Sequence, residues 1–569
     1  MKPTGTGQPI PLTDAVDLRH PYLTEQLIAY IGIKRSLLPF LHGVFARLDL
    51  PGPRSVFLDP FAGSGAVARL ARLMGFAVQG NDWEYYSFII NTCHLCISEA
   101  ELAQLFPDRG GLARVIAALN GLPAPPDDAA YISRHYAPRA TEEADWRTER
   151  LFYTRENALI IDAVRERIEE MYPGTPEGEA FREKAALVAA LLYQAATHTN
   201  TSGVFKACHR GFGGHGRDAL GRIMKTIEVR PPVVVDARWP ATMACMDARE
   251  FLAGRGADIC YLDPPYAVHQ YGSNYFMLNS IARWDKPPVS QERGPDGRLR
   301  KKAGIRADWT NTRSAFCYRD TAAAALSEVV RAADCRWLVV SYSNEGLIGL
   351  QELCDLLAET GSLSVVSTGY VKYPGGKQSL ERTTRNMELA LVVDRQGRNA
   401  AAKNTAVVLR PLRIARLMGG SFDPARVRAA FPRDGGSILA ERSAGGSVPL
   451  PMRHFWRFLP GTAPPVFESP VDAERFIAAL SPCAVADVRE EIEVLIGVVR
   501  SCTDGAETGR LLREILRLAN KLAHRKYRRV FGELLETLRL FSSADAGREP
   551  FRRGLERIAE TAAKRSRRA

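Results

Sequence analysis

A glycine-rich turn between a short apolar strand and a helix constrains the fold of this 569-residue chain more than any other feature. The pattern predicts a strand over residues 55–58, the turn over 59–65, a helix over about 66–74 and a second strand over 77–80. This order begins a doubly wound α/β sheet. Glycine-rich turns of this kind lie at the carboxyl edge of parallel strands, where nucleotides bind. The sequence therefore predicts an α/β fold with a ligand site at that edge.

Three residues in and after this turn are candidates for holding the ligand. Gly63 and Gly65 permit unusual dihedral angles and a close approach of the backbone. Asp82 follows the second strand, where an acid can accept hydrogen bonds from ribose hydroxyls. The turn matches neither the GxGxxG pattern nor a P-loop, so a plain tight turn is an alternative interpretation. For Asp82 the alternative is a helix N-cap.

The second signal is the segment Asp263-Pro264-Pro265-Tyr266, which follows an apolar run at residues 259–262. Proline has no N–H to donate to a sheet, so the two prolines end the predicted strand abruptly. The Asp263 carboxylate and the Pro264 carbonyl can each accept a hydrogen bond from an exocyclic amine. Tyr266 offers a flat face on which an extruded base can stack. A strand-ending turn without chemistry is the alternative, and the glycine turn in the same chain argues against it.

In this order, the motifs resemble the Dam-like alpha group of DNA adenine N6-methyltransferases over roughly residues 18–395. In that group an N-terminal motif precedes the glycine loop, and a target-recognition insertion separates the loop from Asp-Pro-Pro-Tyr. Residues 30–34, 59–65, 98–235 and 263–266 follow the same order here. The resemblance implies a Rossmann-like S-adenosylmethionine-dependent methyltransferase sheet, a mostly helical recognition insertion and a C-terminal helical region.

The resemblance also implies a role for each matching position. Tyr30 stands where the family often has Trp against the cofactor, and Lys34 matches a lysine near cofactor and DNA. Asp82 matches the ribose-binding acid, and Asp247 matches a residue near the cofactor adenine. The implied catalytic residues are Asp263, Pro264, Pro265 and Tyr266, with no metal, and the implied residues for S-adenosylmethionine are Tyr30, Gly32, Lys34, Asp59, Phe61, Gly63, Gly65, Asp82 and Asp247.

Changes in composition suggest the domain organisation. We predict a catalytic domain over residues 18–97 and 236–395, the recognition insertion over 98–235, a Gly-, Ala- and Arg-rich linker over 396–450, and a basic helical C-terminal domain over 451–569. Basic and amide side chains on a loop of the insertion suit phosphate contact and base-edge readout, although a solvated loop is the alternative. These candidate DNA-binding residues are Asn200, Lys206, His209, Arg210 and Arg217.

Charge and cysteine content limit which partners and which cellular compartment we expect. The net charge of +12 favours a polyanionic partner, and residues 510–569 carry 17 Lys and Arg against 7 Asp and Glu. The apolar stretches are far shorter than a membrane span, so we expect no membrane association. The ten cysteines show no disulfide framework, which favours a reducing cytoplasm. Cys93-His94-Leu95-Cys96 lacks a second pair at zinc-finger spacing, so buried thiols are the preferred interpretation.

The leading hypothesis is a site-specific DNA adenine N6-methyltransferase acting on double-stranded DNA in a restriction–modification or related system. A cognate restriction endonuclease is then a candidate partner. The first alternative is a methyltransferase for an exocyclic amine of rRNA, guanine N2 or adenine N6, but such enzymes are compact and lack so large an insertion. The second alternative is a catalytically inactive DNA-binding regulator, although the Asp263–Tyr266 segment is intact.

Overall fold

The computed structural model describes residues 16–52, 54–126, 130–214, 217–370, 386–396, 405–524, 527–543 and 546–567. Contacts divide the chain into two compact units. Unit 1 comprises Met1–Thr368 and Glu388–Lys403, and unit 2 comprises Gly369–Met387 and Asn404–Ala569. Across the described part of the chain, every helix is too short or too polar to span a lipid bilayer.

Unit 1 is built around a seven-stranded sheet in the order β3-β2-β1-β4-β5-β7-β6. Strands β1 to β5 are parallel, and β7 is antiparallel to β5 with β6 at the outer edge. This topology confirms the predicted α/β methyltransferase-like sheet. The strands are β1 (Val56–Asp59), β2 (Ala77–Asn81), β3 (Thr242–Ala244), β4 (Gly256–Leu262), β5 (Asp334–Ser343), β6 (Ser362–Tyr370) and β7 (Asn386–Asp394).

The two sequence motifs meet because β1 and β4 are neighbours in this sheet. Phe57 pairs with Ile259 and Leu58 with Cys260 in parallel register. The strand order reverses at this point, since β2 and β3 extend to one side of β1 and β5 to the other side of β4. Open α/β sheets bind ligands in the crevice at such a switch point, outside the carboxyl ends of the strands. The glycine turn after β1 and the Asp263 segment after β4 therefore face one crevice.

Helices surround this sheet, and six of them, α5 to α10, lie in the predicted insertion. Five of these, α5 to α9, share one apolar core with α4 and α13, so the insertion packs as part of unit 1. Alanines along α9 let it lie close to α4. The helices of unit 1 are α1 (Pro21–Thr24), α2 (Leu38–Phe45), α3 (Ala66–Leu73), α4 (Tyr85–Cys96), α5 (Glu99–Gln104), α6 (Leu112–Asn120), α7 (Ile132–Tyr136), α8 (Arg155–Met171), α9 (Gly178–His198), α10 (Leu220–Met224), α11 (Ala248–Leu252), α12 (Tyr271–Asn274), α13 (Phe276–Arg283), α14 (Ala322–Ala332) and α15 (Leu350–Ala358).

Unit 2 contains helices and a small antiparallel sheet in the order β11-β10-β9-β8. Its helices are α16 (Thr405–Met418), α17 (Pro424–Ala430), α18 (Pro470–Leu480), α19 (Val488–Ser501), α20 (Gly505–Leu522), α21 (Arg528–Ser543) and α22 (Glu549–Arg567). Its strands are β8 (Arg433–Asp434), β9 (Ser437–Glu441), β10 (Ser447–Arg453) and β11 (Arg457–Phe458).

The linker predicted over residues 396–450 is wrong for most of its length. Residues 405–450 form α16, α17 and strands β8 to β10, whose apolar side chains Ile438, Ala440 and Leu450 pack in one core with α18. The glycines that suggested a linker turn the chain between strands, where Gly445 and Gly446 have positive φ angles. Residues 397–404 of the predicted linker lie outside the described residues. The other predicted boundaries stay predictions.

Candidate active site

The loop after β1 is held in shape by its glycines and by α4. Gly63 and Gly65 have φ angles of +53° and +78°, which strongly favour glycine. A Cβ atom on Gly65 would lie 2.0 Å from Oδ1 of Asn91. The carbonyl of Gly63 accepts hydrogen bonds from the Ser87 hydroxyl, at 2.7 Å, and from the Asn91 amide, at 3.1 Å. The loop is therefore braced against α4 and cannot take a side chain at residue 65 without rearranging.

Two buried carboxylates line the base of this loop. Asp82 accepts hydrogen bonds from the backbone N–H groups of Gly63, at 2.7 Å, and Glu84, at 2.9 Å. Burial raises the pKa of Asp82. Asp59 accepts one from the N–H of Phe61 at 3.3 Å, and its pKa is raised well above the ordinary value by burial and by the charge of Asp263. Asp82 thus shapes the loop in addition to facing the space beside it.

That space is a cavity of about 270 Å³ between the loop, the Asp263 segment and the N-terminal segment. Every predicted catalytic and cofactor residue except Gly65 lines it. The lining residues that the sequence had singled out are Tyr30, Gly32, Lys34, Asp59, Phe61, Gly63, Asp82, Asp247, Asp263, Pro264, Pro265 and Tyr266.

An aromatic stack forms one wall of the cavity. The rings of Tyr30, Tyr271 and Tyr275 pack against one another: the centroid of Tyr30 lies 5.0 Å from that of Tyr271 and 4.9 Å from that of Tyr275, and the latter two are 5.9 Å apart. A Cβ atom on Gly63 would come within 3.0 Å of the Tyr30 ring, so the loop and the stack are in close contact. Phe61 packs edge-on against Phe316 at 5.4 Å. The wall is flat and apolar, as a heterocyclic ring requires.

Opposite charges meet beside Asp263. Nζ of Lys34, which is 3% exposed, lies 2.9 Å from Oδ1 of Asp263 and donates to the Tyr266 hydroxyl at 3.3 Å. That hydroxyl donates to Oε1 of Glu388 at 3.1 Å. Burial lowers the pKa of Lys34, but Asp263, and after it Tyr266 and Glu388, raise it well above its ordinary value. Burial raises the pKa of Asp263, and Lys34 lowers it. Asp263 therefore forms an ion pair with a buried lysine.

Sequence reasoning missed two acids of this site. Glu388 is buried at the start of β7, and its only sequence signal is an acid opening an otherwise apolar strand. Glu84 lines the cavity two residues after Asp82, and the amide of Asn279 donates to its carboxylate. Burial raises the pKa of Glu84 to about 7. Both acids belong to the site through contacts with residues far away in the sequence.

The predicted DNA-binding residues divide into two groups. Asn200 is fully buried: its amide donates to the carbonyls of Leu151 and Gly211 and accepts from the N–H of Gly213. Its predicted role in base readout is therefore wrong, because every polar atom of the side chain braces the loop from inside. The others lie at the surface, His209 half-buried and Lys206, Arg210 and Arg217 exposed.

Four cations surround one indole ring at the surface of the insertion. Nζ of Lys302 lies 4.0 Å from the centroid of Trp146, and the guanidinium carbons of Arg210, Arg147 and Arg298 lie at 4.6, 5.0 and 5.9 Å. Burial lowers the pKa of Lys302, and the neighbouring arginines lower it further. We call these five residues the Trp146 cluster.

The loop that carries Lys302 is held by a buried arginine. Arg150, 2% exposed, donates to the backbone carbonyls of Ser290, Lys301 and Lys302. These bonds hold the basic loop around residues 290–302 against the insertion. The Trp146 cluster therefore joins three distant segments in one arrangement.

The cysteine motif in α4 packs inside unit 1. Cys93 is buried, Cys96 is half-buried, and Nδ1 of His94 lies 2.8 Å from the carbonyl oxygen of Val233. Within the described ranges, no three His, Cys, Asp or Glu side chains are grouped as metal ligands.

Several known proteins are similar in sequence to this chain. Modification methylase LlaI of Lactococcus lactis subsp. lactis is 28% identical over 64% of this chain and 54% of its own length. Type II methyltransferase M.NlaIII of Neisseria lactamica is 28% identical over 61% of this chain and 93% of its own, and M.CviAII of Paramecium bursaria Chlorella virus 1 is 27% identical over 61% and 92%. This chain therefore spans about half of LlaI and most of the other two.

The family match covers the region that forms the cavity. The sequence model of the family described as D12 class N6 adenine-specific DNA methyltransferase matches residues 30–316, just over half of the chain. This range begins at Tyr30, includes both motifs and ends at Phe316. A family of methyltransferases implies a methyl donor. This chain belongs to the D12 class N6 adenine-specific DNA methyltransferases.

Proposed function

We propose that this chain transfers a methyl group from S-adenosylmethionine to N6 of adenine at a specific site in double-stranded DNA. The observation that carries the proposal is the single cavity shared by the glycine loop and the Asp263–Tyr266 segment. Relatives named as modification methylases and type II methyltransferases support a role in restriction–modification, with a cognate endonuclease as partner. We further propose a reducing compartment, the cytoplasm, because all ten cysteines are free thiols.

The residues around the cavity fit S-adenosylmethionine. Tyr30 offers a flat face, and the carboxylates of Asp82 and Asp247 are suited to hydroxyl and amine groups. Gly63 leaves the loop backbone bare beside the Tyr30 ring. When bound, the cofactor supplies an electrophilic methyl group whose bond electrons remain on its sulfur after transfer.

The Asp263 segment supplies what the target amine needs. An exocyclic amine is a weak nucleophile because its lone pair is delocalised into the base. The carboxylate of Asp263 and the carbonyl of Pro264 each accept one N–H of that amine, which favours a tetrahedral nitrogen with its lone pair free. Tyr266 holds the extruded base by stacking. Catalysis then rests on positioned acceptors in a water-poor cavity.

Asp82→Asn is expected to weaken S-adenosylmethionine binding about 10- to 100-fold, because hydrogen bonds to a charged group contribute roughly 1.5–3 kcal/mol. The amide keeps the size of the side chain, but it loses the negative charge and one of the two oxygens that accept the N–H groups of Gly63 and Glu84. Calorimetry with the full chain measures the affinity, and Asp320→Asn, an exposed carboxylate outside the cavity, is the control. Unchanged affinity in the Asp82 variant would remove this residue from cofactor binding.

The Trp146 cluster supports the proposal that this chain binds DNA. Its cations lie close together, and Arg210 and Lys302 have no acid within ion-pair distance among the described residues. Crowded like charges raise the local positive potential, and a phosphate backbone relieves that repulsion. The cluster is proposed as a contact with DNA phosphates.

The double variant Arg210→Gln/Lys302→Gln is expected to flatten the salt dependence of DNA binding. Removing one phosphate contact lowers the slope of log affinity against log salt by about 0.9, so the change is roughly 2 for the pair. Binding of duplexes with and without the target site is measured over a salt series. Arg114→Gln/Arg331→Gln, exposed on α6 and α14, removes the same charge elsewhere. Equal slopes for the two double variants would contradict the assignment.

Methylation-sensitive sequencing of a host expressing the protein tests the function directly. The expected result is N6-methyladenine at one short DNA sequence. Methylated rRNA with unmodified DNA would favour the RNA methyltransferase, and binding to DNA without any methylation would favour the inactive regulator.

A further inference from the structure

Glu388 is a second carboxylate at the catalytic cluster, and it comes from the opposite end of the domain sequence. It pairs with Ser343 of β5 at the start of the antiparallel strand β7. The residue is 6% exposed. Its Oε1 accepts the Tyr266 hydroxyl at 3.1 Å, and its Oε2 is buried without a hydrogen-bond partner among the described residues. A buried carboxylate with one oxygen that accepts no hydrogen bond requires a compensating charge.

That charge is the ammonium of Lys34. Contacts run without a gap from Oδ1 of Asp263 to Nζ of Lys34 at 2.9 Å, from Lys34 to the Tyr266 hydroxyl at 3.3 Å, and from Tyr266 to Glu388. The attraction of Asp263 and Glu388 contributes to the raised pKa of Lys34. Burial raises the pKa of Glu388, which Lys34 lowers and the neighbouring Asp263 raises. One buried cation therefore serves two acids, of which Glu388 is buried and Asp263 is partly exposed to the cavity.

Few other titratable groups face this cluster. Asp59 lies near enough to Asp263 for each charge to act on the other. The phenols of Tyr261 and Tyr271 also feel the charges of Asp263 and Lys34, and burial raises the pKa of both well above the ordinary value, so they stay neutral. The charge balance at neutral pH is therefore decided mainly by Lys34, Asp263 and Glu388.

We propose that Glu388 is a positioning residue that acts as the second counter-ion of Lys34, so that Asp263 can accept the proton that the methylated amine loses. This inference rests on the proposed function. When the bond between N6 and the methyl carbon forms, the nitrogen becomes cationic. One N–H bond then breaks, its electron pair stays on nitrogen, and the proton passes to an oxygen of Asp263.

A single ion pair would perform this step poorly. With Lys34 as its exclusive partner, Asp263 would be held in its ionised form and would be a weak proton acceptor. Protonation would also leave the buried ammonium without a counter-ion, which is costly in a protein interior. With Glu388 beside Tyr266, the ammonium keeps a partner while Asp263 becomes neutral.

Glu388→Gln separates this role from simple packing. The amide carbonyl can still accept the Tyr266 hydroxyl, but the negative charge is gone. We expect the single-turnover methylation rate at neutral pH to fall about 10- to 100-fold, within the range of proton-transfer catalysis, with little change in KM for DNA. The acid limb of the pH–rate profile is expected to move about one unit lower, because Asp263 loses a like charge.

Three companion variants make the result specific. Glu388→Asp keeps the charge and is expected to restore much of the rate. Tyr266→Phe keeps Glu388 charged but removes the hydroxyl link, so its acid limb should stay near that of the wild type. Glu352→Gln, an exposed acid on α15, controls for charge alone. A rate loss in Glu388→Gln without a shift of the acid limb would overturn the proposal in favour of a packing role.

One measurement does not depend on activity. Carboxyl-carbon NMR of protein labelled at aspartate, in the absence of DNA, reports the titration of Asp263 in wild type and Glu388→Gln. A lower pKa of Asp263 in the variant supports the proposal, and identical titrations contradict it. If the wild type fails to methylate DNA adenine, the proposed function fails separately, because this titration still tests the coupling of the two acids.

Discussion

Replacing Asp263 with Ala is expected to lower the rate of methyl transfer at least ~100-fold, comparable to the loss of one positioned oxyanion-hole donor. The carboxylate is the acceptor beside the target amine and the proposed recipient of its proton. The fold should survive, because Lys34 retains the carboxylate of Glu388 as a counter-ion in the variant. Single-turnover kinetics at saturating DNA and S-adenosylmethionine measures the effect.

Cofactor affinity distinguishes a chemical defect from a collapsed site. S-adenosylmethionine binding to Asp263→Ala should stay close to that of the wild type, because Tyr30 and Asp82 contact Gly63 of the glycine loop, whereas Asp263 pairs with Lys34. Asp320→Ala, at an exposed position, should leave both the rate and the affinity unchanged. Turnover near the wild-type level in Asp263→Ala would remove this residue from the mechanism.

The largest loss of stability is expected for Lys34→Met. Methionine fills a similar volume but leaves the buried carboxylate of Glu388 and the partly buried one of Asp263 without their cation. Removing one partner of a buried ion pair costs about 3–5 kcal/mol of unfolding free energy. Calorimetric unfolding measures this loss, and Lys206→Met, at an exposed position, is the control for losing one lysine.

The stability of the wild type and that of Lys34→Met should also depend differently on pH. In the wild type the folded-state pKa of Lys34 is raised, so its contribution is present below the unfolded value of about 10.4 and is lost only as the pH rises through the folded value. In Lys34→Met the raised pKa values of both carboxyl groups rise further. Their contribution is then present below the unfolded values near 4 and is lost as the pH rises through the folded values.

The midpoint temperature of Lys34→Met should therefore fall more steeply between about pH 5 and pH 8 than that of the wild type, in which Lys34 limits the rise of the two carboxyl pKa values. Parallel curves over this range would mean that the two acids do not depend on Lys34 for their charge.

Local patterns in the sequence were sufficient to predict the elements that form the crevice. The glycine turn, the strand before it and the prolines after β4 are short-range features, because backbone dihedral angles and missing N–H groups act within a few residues. Parallel strands then bring the two motifs to one edge, so the positions of Asp59, Asp82 and Asp263 followed from the order of elements. The family resemblance rests on the same residues.

Tertiary structure decided which side chains share a counter-ion and which are buried. Glu388 reaches Tyr266 across 122 residues of sequence, through an antiparallel strand whose register places it there. Asn200 belongs to a polar, basic loop, yet three backbone groups need its amide, and an unpaired buried backbone group is costly. Residues 405–450 have the glycine content of a linker but fold around a common core. Composition reports how polar a segment is, whereas burial depends on contacts that form only when distant segments pack together.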